Sequence, residues 1–129
     1  MCKIGKLEGG VRRVRDVVGG GGTERGVEVV RGVELLVGQV SHWQQPRWSA
    51  PASVGNVSRA DLVHRLVQEI ANLAADAEGQ PRRAVPRLDN DLALPDQLRV
   101  VAADLLAADP SEEALTRAAT EVAATRTAL

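Results

Sequence analysis

The densest set of residues able to do contact chemistry lies between positions 82 and 91: Arg82, Arg83, Arg87, Asp89 and Asp91. A guanidinium presents a planar fork of N–H donors that matches phosphate or carboxylate. With Arg99 nearby, the stretch therefore reads as a candidate binding loop for phosphate or for the carboxylates of a partner. The default for such a pattern is a solvated charge network, because Asp76, Glu78, Asp89 and Asp91 stand close enough in sequence to answer the arginines, and exposed ion pairs are common and weak. If any loop of this chain binds something, it is this one.

Other constellations carry less. Asp89, Asp91 and Asp96 are oxygen donors of the kind that hold a divalent cation. An EF-hand loop would next require an acidic or amide residue and then glycine, where Ala93 and Leu94 stand. A turn at Asp89 and Asn90, with Asp96 in the first turn of a helix, accounts for the same residues. The run Gly19 to Gly22 before Thr23 invites a phosphate-loop reading, but Val27 and Glu28 occupy the places where lysine and a hydroxyl residue are needed after Gly21 and Gly26. His42 and His64 stand 22 positions apart with no cysteine near either, and His64 sits beside an apolar stripe, so it reads as a boundary residue. No serine has a nucleophile-elbow setting. His42, Trp43, Arg47 and Trp48 form an aromatic-basic cluster of the type that stacks single-stranded bases. Two aromatics without a basic groove fit better as anchors of a linker. No cofactor motif, no metal spacing and no acid, base or nucleophile pair is legible, and the expectation is a non-catalytic protein.

The elements that must position these residues are mostly helical. Ser58 followed by Asp61 forms a capping signal, after which Val63, Leu66, Ile70, Leu73 and Ala77 repeat at spacings of 3 and 4, broadened by Leu62, Val67 and Ala74. Gly79 and Pro81 end this helix, placed at about 59–78. A second, about 95–108, opens at Pro95 with Asp96 behind it and carries Leu94, Leu98, Val101, Leu105 and Ala108. A third, about 110–127, is read with Asp109 as cap, Pro110 as first residue and Glu112 completing the box, and its face is Leu115, Ala118, Ala119 and Val122. The connection Gln80 to Leu94 is long for a helix–helix link, for which about 2–8 residues is usual. Val85, Leu88 and Leu92 are expected to plug the open side of the bundle. The fold class is therefore all-α, a small bundle of three amphipathic helices.

The composition divides the chain before that point. Ten of the twelve glycines lie in residues 1–40, a segment expected to be poorly ordered or weakly β. Val27, Val29, Val33, Leu35 and Val37 share odd positions there, a period-2 signal interrupted at Gly32, whereas Val11, Val14 and Val17 or Val18 read helical. Residues 41–56 hold both tryptophans and read as a linker, and 57–129 as a small helical domain. Val57 could itself be a bacterial GTG start, one residue before the first cap, which would leave residues 1–56 as leader. The wealth of Ala, Gly, Arg and Pro points to a high-GC, bacterial genome.

Of 129 residues, 44% are hydrophobic, but 19 are alanine and none is Phe or Tyr. A net charge of -1 lacks the basic excess of a protein held to phosphates by charge. The lone Cys2 excludes an internal disulfide and fits a reducing, cytoplasmic setting. No apolar run approaches the roughly 20 residues that span a bilayer. Bulky side chains are scarce in 57–129, and a single core of about 70 residues rarely supplies more than a few kcal/mol. The expected function is a small helical interaction or regulatory protein that dimerises or docks on a protein partner through helix faces. The alternative is a nucleic-acid-associated, antitoxin-like regulator, with Arg12, Arg13 and Arg15 as a basic arm.

Overall fold

In the computed structural model, residues 20–129 are described, with side chains from Glu24 onward. Among the described residues five α-helices follow one another: α1 Gly20–Val40, α2 Gln45–Ser49, α3 Arg59–Glu78, α4 Leu94–Ala107 and α5 Glu112–Ala128. A single 3-10 turn, Asp91–Ala93, leads into α4. The four long helices close a ring in which α1 touches α5 and α4, and α3 touches α4 and α5. No helix among the described residues is long and apolar enough to cross a membrane.

Local chemistry explains the helix ends. Ser58 caps α3, its Oγ accepting a 3.0 Å hydrogen bond from the Asp61 N–H. Gly79 closes the same helix at φ 69°, in the left-handed region that suits a residue without Cβ. α4 begins at Leu94 with Pro95 in its first turn. The start of α5 differs from expectation: Ser111 is the cap, its Oγ accepting from the Ala114 N–H, and the helix begins at Glu112. Asp109 instead takes φ 54°, the left-handed residue that reverses the chain between α4 and α5. Asp tolerates this conformation better than most residues because its side chain can bond locally.

The N-terminal expectation is corrected more deeply. Residues 20–40 form a 21-residue α-helix, not a strand or a loose segment. Val29, Val33, Leu36, Val37 and Val40 are all buried, at spacings of 4, 3, 1 and 3 that trace one helical face. The odd-numbered pattern mixed this inner face with Val27 and Leu35, which are exposed. Gly32, which looked like a strand break, is a contact point: a Cβ built there would lie 3.0 Å from Val122 Cγ1 of α5. Tertiary packing outweighs the glycine cost here. The helical reading of Val11, Val14 and Val17 or Val18, the Gly19 end of the glycine run and the arm Arg12, Arg13 and Arg15 lie outside the described residues.

One core takes side chains from α1 through α5, including Leu36, Trp43, Trp48, Ile70, Leu98, Leu105 and Leu115. The stretch 41–56 contributes directly, since Trp48 is fully buried and Trp43 nearly so, their rings edge to face at 5.1 Å. Bulk missing from 57–129 is thus supplied within the chain by α1 and the tryptophan segment. The α3 seam, Val63, Leu66, Val67, Ile70 and Ala74, is covered internally. It is not a free face.

The long connection follows from topology. Gly26 faces Leu106 and Glu34 bonds Arg99, so α1 and α4 run antiparallel, whereas Gly32 against Val122 and Arg25 near Glu112 make α1 and α5 parallel. Late α3 (Ala71, Ala74, Glu78) borders mid-to-late α4 (Val101, Asp104), so these two are also parallel. The chain must therefore travel back along α3, which at 1.5 Å per residue is about 30 Å long. Some ten extended residues at about 3.3 Å each cover that distance. A bundle with one such crossover is a known way to join parallel neighbours.

Candidate functional site

The crossover holds all five of the candidate binding residues, and its path is set by polar side chains of the helices. The Gln68 amide, on α3, reads the passing backbone twice: its Nε2 donates to the Arg83 carbonyl at 3.0 Å and its Oε1 accepts from the Val85 N–H at 2.7 Å. One turn earlier, His64 Nε2 donates to the Val85 carbonyl at 3.0 Å. That contact fixes the tautomer with the proton on Nε2. Gln97 of α4 donates to the Pro86 carbonyl at 3.2 Å. Each is a side chain standing in for a strand partner, satisfying backbone groups of an extended segment that has no sheet to join.

Charges then fasten the two ends. Arg82 forks onto Asp76 through Nε and Nη2 at 3.0 and 2.7 Å. Arg87 reaches Asp61 at 2.7 Å and Asp91 at 3.2 and 3.3 Å, while Asp91 also accepts from Gln45 Nε2 of α2 at 2.8 Å. The arginine hydrogen bonds hold the Asp61 and Asp76 carboxyls below their ordinary value, against a smaller opposing desolvation, and raise both guanidinium groups in turn. Fully ionised partners at these distances form a strap.

The structure thus separates the five residues. Arg82, Arg87 and Asp91 are spent on pairs that tie the crossover to α2 and α3. Arg83 and Asp89 are exposed. Arg83 lines a groove of about 410 Å³ between α3, α4 and the crossover, floored by Ala71, Ala74 and Ala75 with Glu78 and Asp104 beside it. Arg82 and Asp76 border a wider one of about 1080 Å³ against the start of α5, shared with Glu112, Glu113 and Arg117. Among the described residues Asp89, Asp91 and Asp96 do not gather into a group that could hold a metal ion, and the Asp91 carboxylate accepts from Arg87 and Gln45. Arg99 pairs with Glu34 of α1 at 2.9 and 3.1 Å instead of joining the crossover. Asn90 caps the 3-10 turn, its Oδ1 accepting from the Leu92 N–H.

Of the expected plug, Val85 alone packs inward. Leu88 and Leu92 are 44% and 45% exposed, which corrects the expectation: Leu88 stands three positions from Val85 on the extended path, where side chains alternate in direction, and Leu92 lies on the 3-10 turn that leads into α4. The aromatic-basic cluster is an anchor: Arg47 and Arg59 lie over the Trp43 ring at 5.2 and 5.5 Å, and neither indole face is open to a nucleobase.

Sequence reasoning missed a second surface. The outer face of α1 leaves Val27 52%, Val30 45% and Leu35 50% exposed, with Arg31, Glu34 and Gly38 between them. The signal was present as a second apolar set at helical spacing, hidden by the period-2 reading. Compared with protein-family models, curated proteins and solved structures, the chain matches none.

Proposed function

We propose that this chain is a non-catalytic helical interaction module that works by docking a helix face on a protein surface, and that the outer face of α1 is the face it uses. One observation carries the reading: three large aliphatic side chains, Val27, Val30 and Leu35, stand half exposed on one side of a helix whose other side is fully committed to the core. Scattered exposed aliphatics are ordinary; these three fall at i, i+3 and i+8 on the outer half of one helix, flanking Arg31 and Glu34, which favours a contact surface there.

The experiment is affinity capture with the full chain against its Leu35→Glu variant, after thermal melts show that both fold. The expected result is at least one protein retained by the first and lost from the second. Identical captured sets would remove α1 from the reading.

A further inference from the structure

The crossover has the makings of a protease substrate. From Gln80 to Asn90 no residue belongs to a helix, and residues 80–84 are all exposed. A trypsin-like endopeptidase needs more than open chain: an arginine side chain able to enter its acidic pocket, and a carbonyl able to enter its oxyanion hole. Three arginines of the crossover compete for the first role, and two of them are spent. Arg82 forks onto Asp76, and Arg87 is divided between Asp61 and Asp91. Arg83 stands on the rim of the smaller groove, and none of the ion pairs among the described residues includes it. The residue after it is alanine, which leaves the bond open on that side.

We propose that the Arg83–Ala84 peptide bond is a processing site for an endopeptidase of the trypsin class, and that Gln68 guards it. The carbonyl to be attacked is the one that accepts from Gln68 Nε2 at 3.0 Å, and the same amide holds the Val85 N–H two residues on at 2.7 Å. While that grip lasts, the carbonyl is not free to take the donors of an oxyanion hole. Cleavage therefore runs through the fraction of molecules in which the grip is open. In the cut, water adds its oxygen to the Arg83 carbonyl carbon as the C–N bond breaks, and both water protons end on the Ala84 nitrogen. A carboxylate is left at Arg83 and an ammonium at Ala84. The carboxylate arises beside Glu78 and Asp104, whose like charge drives the new ends apart. One piece then carries α1, α2 and α3 and the other α4 and α5, held together only by the core they share. Processing turns packing within one chain into an association that depends on concentration.

Trypsin at a low ratio to the full chain, followed over time by intact-mass spectrometry, tests this with Arg83→Gln and Gln68→Glu as variants. The fold makes no use of the Arg83 side chain, so Arg83→Gln separates cleavage from stability. Gln68→Glu keeps an acceptor for the Val85 N–H and removes the donor to the Arg83 carbonyl. Circular dichroism melts establish that both variants fold, and Gln68→Ala, which lacks both contacts, must speed the cut as well. In wild type the first cut within residues 24–129 is expected after Arg83, and Arg83→Gln abolishes that pair of fragments. Gln68→Glu is expected to raise the rate at Arg83 by about two- to tenfold, the range that one hydrogen bond is worth, while cuts at other arginines keep their rates. A first cut after Arg82, after Arg87 or inside a helix overturns the site. A rate at Arg83 unchanged in both Gln68 variants, or raised equally at every arginine, overturns the guard.

Discussion

Replacing Gly32 and Gly38 by alanine, one at a time, asks whether α1 is a helix packed on α5 and puts a sign on the answer. Both positions lie inside the same helix, so both substitutions gain the intrinsic preference of alanine over glycine, about 1 kcal/mol. At Gly38 the new methyl group enters open space, and the whole gain should appear as stability. At Gly32 it arrives 3.0 Å from Cγ1 of Val122, which is 1% exposed and stiff at χ1. That neighbour can yield only by moving off its rotamer or by pushing the helices apart, and overpacking of this kind costs about 1–3 kcal/mol. The two variants should therefore differ by about 1–3 kcal/mol, with Gly38→Ala above wild type and Gly32→Ala at or below it. In a chain of this length that separates their melting temperatures by about 4–12 °C. Val122→Ala should relieve Gly32→Ala specifically, giving a coupling that a double-mutant cycle reads directly. Urea melts followed at 222 nm, at concentrations low enough to exclude self-association, supply the numbers. If Gly32→Ala stabilises as much as Gly38→Ala, α1 does not touch Val122. If neither changes anything, the segment is not helical.

Removing residues 1–56 strips the core of Val29, Val33, Leu36, Trp43 and Trp48, and the remainder should lose its cooperative melt; a fragment 57–129 that unfolds sharply as a monomer would contradict the packing described. Gly79→Ala places a Cβ at φ 69° and should cost about 1–2 kcal/mol, measured by chemical denaturation, whereas an unchanged midpoint would deny the left-handed cap. The Asp76 carboxyl is held below its ordinary value of 3.8 by the hydrogen bond from Arg82, so its contribution is whole above that value and fades as the pH falls through the lower folded one. Asp76→Asn should accordingly fall slightly below wild type in melts near neutrality and converge with it on acidification. A gap that widens toward acid would reverse the assigned cause.

Legibility varied with how local the cause was. The ends of α3 follow from Ser58, Asp61 and Gly79 alone, because capping is settled within four residues. The same holds for the burial of Leu98, Val101 and Leu105, where the spacing leaves one possible face. At α1 the deciding contacts are remote: Gly32 is tolerated because Val122, ninety positions away, needs the room. A local reading sees only a poor helix former. The crossover is similar. Its charges were visible, but which arginine would be spent depended on α3 and α4 running parallel, and that direction is a property of the whole bundle. Asp109 and Ser111 show the smaller error, since two good caps stand two positions apart and only the turn geometry chooses between them.

The manner in which Gln68, His64 and Gln97 grip the returning chain divides the burden of specificity unevenly. They bind peptide groups, which every residue type carries, so positions such as Arg83 and Ala84 are free to drift while the three gripping side chains are not. Mutational tolerance along this stretch should then be high at its exposed positions, and low at Val85, which packs on the core, and in the helices that hold the chain. New recognition chemistry could be written onto the exposed side of the strap without redesigning the bundle beneath.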